Sequence, residues 1–111
     1  MANFYKSETF DLTTTNLTTV LTISTSAIAI VKAVQASHQD ASNVDVDVYL
    51  KKLGGSDVEI AHARLNKSTE NLAKDVINLE AGDVLKAQAD TANEVTGQIS
   101  YLLIDRSQEN G

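Results

Sequence analysis

The sequence has no cysteine, no tryptophan and no proline. Without cysteine there can be no disulfide framework, no thiolate-bound zinc and no thiol nucleophile, and the redox compartment leaves no trace. Aromatic residues amount to three Tyr and two Phe, so a core has to be assembled from Val, Ile, Leu and Ala, which favours a thin, closely packed architecture. Basic residues are also scarce: nine Lys and Arg face fifteen Asp and Glu, for a net charge of −6, and only Lys51 and Lys52 are adjacent. Such a surface does not embrace phosphates, and nucleic acid is not expected as a partner. Long hydrophobic runs are missing too. The most apolar stretch, AIAIVKAV from Ala27 to Val34, contains Lys32 and is far too short to span a bilayer, and MANFYKSETFDL has no signal-like apolar segment. No membrane association is expected, and the chain reads as soluble and unprocessed. The sequons at Asn16 (NLT) and Asn66 (NKS) then read as chance matches.

What remains is the composition of a folded globular chain, 42% hydrophobic and 22% charged over 111 residues. That length suits one domain, residues 1–111, burying roughly two thirds of its unfolded surface.

The clearest pattern is NVDVDVYLKK, Asn43 to Lys52. In a strand, successive side chains point to opposite faces, so Val44, Val46, Val48 and Leu50 make an apolar face and Asp45, Asp47, Tyr49 and Lys51 a wet one. Asp45 and Asp47 would stand about 7 Å apart on that wet face. A calcium site needs six to eight oxygens and a wrapping loop. Here valines and then lysines follow, so a solvated face is the expectation, with an electrostatic contact to a partner as the other use.

Elsewhere the chain reads as further strands. TTTNLTTVLTIST, residues 13–25, has seven threonines in thirteen positions, and β-branched residues favour strand over helix. In STSAIAIVKAVQASHQ the alternation through Ile28 and Ile30 would put Lys32 on the apolar face; a β-bulge near Val31 or Lys32, or a strand changing sheets there, restores it. HQDASN (38–43) predicts a turn, and LGGSD predicts a hairpin from the Val strand into VEIAHARLN. From 58 to 79 the spacing of Leu72, Val76 and Leu79 leaves room for one short helix, with a short strand over Asp75 to Leu79 as the other reading. NLEAGD is a strand end with a glycine turn, and VLKAQAD alternates Leu85, Ala87 and Ala89 against Lys86, Gln88 and Asp90. In VTGQISYLLID, Val95, Ile99, Tyr101 and Leu103 share a face opposite Thr96, Gln98 and Ser100, while Leu102 and Ile104 make the end apolar on both sides. Such an end calls for cover by another element or another subunit. Strands of five to nine residues with turn signals about every ten predict an all-β fold, a single antiparallel β-sandwich of jelly-roll or immunoglobulin-like type.

Chemistry is harder to find. His38 and His62 are the only histidines, 24 positions apart, and read as ordinary surface residues without ligand spacing. There is no HExxH, no GxSxG and no phosphate loop, since GGS at 54–56 is explained by a turn. Pairs such as Asp83 with Asp90, or Glu59 with Glu80, have nothing to select them. No catalytic, cofactor-binding or metal residues are assigned, and no enzyme is expected. Sugar sites lean on aromatic platforms, and Tyr5, Tyr49 and Tyr101 are the only tyrosines, so a host-glycan-binding module ranks behind the reading that follows.

Two segments, AIVKAVQASHQDASNVDVDVYLKK (Ala29 to Lys52) and NLEAGDVLKAQADTANEVTGQISYLLI (Asn78 to Ile104), resemble small β-sandwich virion structural proteins of tailed bacteriophages, frequent in marine phages and cyanophages. In that group an AIVKxI-type strand precedes a polar turn and an alternating Val strand, and an LxAGDxLxxxAxxANxxxxxxSYLEI-like ending follows. This chain departs from the pattern at Leu103, where an acidic residue is expected, and in a more polar middle from Glu59 to Asp75. The resemblance covers about half the chain. It implies a non-enzymatic virion structural protein, assembled in the host cytoplasm, whose partners are the major capsid protein, other virion proteins and further copies of itself in a homo-oligomer. The acidic charge points away from packaged DNA, hence to an exterior capsid decoration protein, with a head-to-tail (neck) or tail component as the alternative.

Overall fold

The structure is a computed structural model that describes residues 2–106. Nine strands carry it: β1 (Ala2–Leu12), β2 (Thr18–Thr22), β3 (Ala27–His38), β4 (Val44–Lys51), β5 (Asp57–Leu65), β6 (Ser68–Asn71), β7 (Ile77–Leu79), β8 (Val84–Ala89) and β9 (Val95–Asp105). They form two antiparallel sheets. The five-stranded sheet runs β1-β9-β3-β6 with β7 also on β3, and the four-stranded sheet runs β2-β8-β4-β5. Because β6 and β7 occupy successive stretches of one edge of β3, each sheet is four positions wide. The chain wraps between the sheets in the double Greek-key order of a jelly roll. Of the two sandwich types expected, the strand order selects this one.

The core lies between the sheets and is built from short side chains. Val44, Val46 and Val48 of β4, Leu85, Ala87 and Ala89 of β8, Val34 and Ala36 of β3, and Val95, Ile99 and Tyr101 of β9 are all buried, on the faces that alternation assigns to them. The β3 conflict resolves as a bulge: its register with β9 shifts between Val31 and Ala33. Before the shift Ala29 and Val31 point inward, after it Val34 and Ala36 do, and Lys32 stays in solvent. The strand does not change sheets.

Two expectations need correction. The first is the helix: no residue from 58 to 79 is helical. Leu72 and Leu79 are buried as a helix stripe would require, but Val76, which should lie between them, is 53% exposed. The Asn71 side chain decides the path, since its Oδ1 accepts hydrogen bonds from the backbone N–H of Val34 and of Ala73, each at 3.0 Å. That clamp spans the β3 bulge and turns the chain out between β6 and β7. The second is the threonine-rich stretch, where only Thr18–Thr22 is strand and residues 13–17 form a bend. The amino-terminal segment, to which the sequence assigns no element, forms β1, paired over its whole length with β9 from Ala2↔Asp105 to Leu12↔Val95.

The hairpin between β4 and β5 turns on Gly54, whose φ of 77° suits glycine. Gly97 serves a different need, because a Cβ there would lie 2.2 Å from Cζ of Phe10 and 2.3 Å from the carbonyl oxygen of Gln35. Only glycine lets β1, β9 and β3 close together at that point.

Candidate functional site

On the outer face of the four-stranded sheet the aspartates of NVDVDV do meet partners, all from within the chain. Register places Asp45 opposite Arg64 and Asp47 opposite His62. The Arg64 guanidinium grips Asp45 with Nε at 2.8 Å and Nη2 at 3.3 Å, and this contact holds the Asp45 carboxyl below its ordinary range. His62 Nδ1 lies 2.5 Å from Asp47 Oδ1, and that hydrogen bond raises the imidazole pKa. Lys86 reaches Asp57 at 2.9 Å. Desolvation, with Asp47 and Glu59 nearby, raises the Tyr49 pKa. The wet face is thus a set of cross-strand ion pairs that neutralise one another. Among the described residues no group of three or more His, Asp or Glu is placed to hold a metal ion.

His38 is not the surface residue expected, being only 1% exposed. It ends β3 and bridges two loops, with Nδ1 3.0 Å from the Glu94 carbonyl oxygen and Nε2 2.9 Å from the Ser42 carbonyl oxygen. Sequence missed this because HQDASN reads as a turn beginning at His38, although His38 continues the inward alternation of Val34 and Ala36. Near it the Glu94 pKa is raised, chiefly through a hydrogen bond with Asp40. Among the described residues Asp83 is the other buried polar one. Its Oδ2 accepts from Lys52 Nζ at 2.5 Å and from the Glu80 N–H at 2.8 Å, and its Oδ1 from the Leu53 N–H at 3.4 Å. Burial pushes its pKa up, but Lys52 and the two backbone donors outweigh that and lower it. Asp83 therefore meets Lys52 and Glu80, not Asp90; Asp90 instead accepts from the backbone N–H of Asp45 at 3.1 Å. Both His38 and Asp83 tie loops together.

The outer face of the five-stranded sheet is organised differently. At one end, register aligns Tyr5, Leu102 and Ile30 in one row across β1, β9 and β3, and Ile104 with Ile28 in the next. Tyr5 is 86% exposed, and Ile28, Ile30, Leu102 and Ile104 are half-buried only by their neighbours. This is the apolar end anticipated at Leu102 and Ile104, and no described element covers its outer side. On the inner side of the same end Phe4 is 47% exposed, so the sheet outruns the one beneath it. At the opposite end the rows are polar: Asp11, Thr96, Ser37 and Thr69 cross β1, β9, β3 and β6, and Thr9, Gln98 and Gln35 follow beside them. Sequence reading found Thr96 and Gln98 on a polar face but could not assemble the rows, since β1 and β6 were not legible.

No protein-family model matches the chain, and no curated protein does. Solved structures do. A chain from the acidic stable capsid structure of Helicobacter pylori bacteriophage KHP30 superposes with a TM-score of 0.60 at 16% identity, covering 96% of this chain and 90% of that one. A chain from the Bacillus endospore appendages, which form disulfide-linked pili, superposes with a TM-score of 0.55 at 11% identity, covering 92% and 84%. At these identities the likeness is one of fold, and it extends over nearly the whole of each chain. A disulfide-linked assembly is closed to the present chain, which has no cysteine.

Proposed function

We propose that this chain is a non-enzymatic structural protein of a tailed-phage virion, and specifically an exterior capsid decoration protein that docks through the apolar end of its five-stranded sheet. The observation that carries the reading is the patch of Tyr5, Ile28, Ile30, Leu102 and Ile104, contiguous by register, with Tyr5 exposed and the other four half-buried. Burying such side chains fully against a partner contributes about 1 kcal/mol apiece beyond what neighbours already cover. A patch of this kind marks an interaction surface. The likeness in fold to a phage capsid chain supports the setting, and the net charge of −6 supports the outside of the shell, away from packaged DNA. The partner is then the major capsid protein lattice, with copies of this chain clustering as a homo-oligomer on it. Binding only the assembled lattice stabilises the mature shell by mass action.

Co-sedimentation of the purified protein with mature, undecorated heads, and separately with isolated head-to-tail complexes, tests this. Saturable binding to heads at lattice stoichiometry is the expected result. Binding confined to the neck or tail fraction moves the protein to the conduit and rejects decoration.

A further inference from the structure

The two polar rows at the other end of the same face border a shallow, open cleft of about 620 Å³. Its lining has a distinctive chemistry. Thr9, Gln35, Ser37, Thr69, Thr96 and Gln98 offer hydroxyl and amide groups, Asp11 supplies the one charge, and Phe10 and Gly97 complete the surface. No Lys, Arg or His takes part, and none of these polar side chains is in an ion pair. A face built only to be wet looks different in this molecule: the outer face of the other sheet sets Asp45 against Arg64 and Asp47 against His62.

We propose that this cleft binds a neutral carbohydrate. Hydroxyl and amide groups both donate and accept, as a polyhydroxylated ligand requires, and strands about 4.8 Å apart spread them as a grid instead of focusing them on one atom. Gly97 and Phe10 lie between these rows on the alternate, inward-facing positions, where the Phe10 ring closes over Gly97 and packs against the core, so the grid above them is polar. An anionic ligand finds no cation here and meets Asp11. An extended peptide would look for unpaired backbone groups, which lie at the sheet edges, whereas β9 and β3 are paired on both sides at this point. Particle docking at the apolar end leaves the cleft open, so a decorated shell would display it in many copies, adding weak contacts into avidity.

The test is a glycan array carrying neutral hexose and N-acetylhexosamine oligomers beside sialylated and sulfated ones, followed by titration calorimetry with the oligosaccharides that bind. Saturable binding to neutral oligomers, weakened about tenfold or more by Gln98→Ala and by Ser37→Ala, is the expected result; both changes are on the surface, and circular dichroism verifies the fold. Absence of binding to every glycan at roughly millimolar concentration, preference for the sulfated or sialylated arms, or binding untouched by both substitutions overturns the proposal. Binding to heads can fail while glycan binding succeeds, and the reverse, so the two proposals stand or fall separately.

Discussion

The outer faces of the two sheets are made from similar strands and yet meet water in opposite ways. On the four-stranded sheet the charges come in pairs, Asp45 with Arg64, Asp47 with His62 and Asp57 with Lys86. On the five-stranded sheet the rows are apolar at one end and polar but almost uncharged at the other. Charges that neutralise one another within the chain leave little for a partner to bind, whereas apolar rows and hydroxyl and amide groups outside any ion pair gain from one. The difference teaches where to look for function: on the face whose side chains are not paired off by charge within the chain.

Substitution can break that contrast. The largest effect is expected from Leu102→Asp combined with Ile30→Asp, which sets two carboxylates in the middle of the apolar rows. Affinity for heads should fall by a factor of about a hundred or more, a cost of roughly 3 kcal/mol, while the reversal Asp45→Lys on the other sheet should leave it within about twofold. Sedimentation with heads measures both. Next comes Gly97→Val: a Cβ would press on the Phe10 ring and on the Gln35 backbone, so urea unfolding should show a loss of about 2–3 kcal/mol, because backbone cannot yield as a side chain can.

Asp83→Ala should cost about 2 kcal/mol, since it strips two backbone N–H donors and Lys52 of their acceptor. It should also change the acid limb of stability. The folded-state pKa of Asp83 is lowered, so its contribution is present above the unfolded-state pKa and disappears as pH falls through the folded value. The variant should lack that part of the slope in unfolding curves taken from pH 5 downward. Asp47→Asn, on the self-neutralised face, is expected to matter least, by about 0.5 kcal/mol. Its signature is again in the pH dependence: the pKa of His62 is raised by Asp47, so the pair's contribution is full below the unfolded histidine value and is lost as pH rises through the folded one. The variant should therefore differ from the parent chain at pH 5 and converge with it at pH 9.

Much of the sandwich was legible because its inner strands obey period two. The alternations of β4, β8 and β9 gave core and surface residue by residue, and the misfit of Lys32 located a bulge before any pairing was known. Legibility failed at the margins. In β1 the inward positions include Lys6 and Glu8, so it is strand because β9 offers a full-length partner, a tertiary cause absent from its own residues. The helical spacing of Leu72, Val76 and Leu79 was overruled by the two hydrogen bonds to Asn71 Oδ1. The apolar end was visible as Leu102 and Ile104; the polar cleft was not, since its rows join β1, β9, β3 and β6 and two of those strands had not been found.

Hydroxyl-radical footprinting of the protein, free and bound to mature heads, tests most directly the claim that one outer face docks and the other does not. The account predicts that Tyr5, Leu102 and Ile30 become protected on binding while His62 and Tyr49 keep their reactivity. Protection of His62 and Tyr49 with Tyr5 and Leu102 unchanged would contradict it.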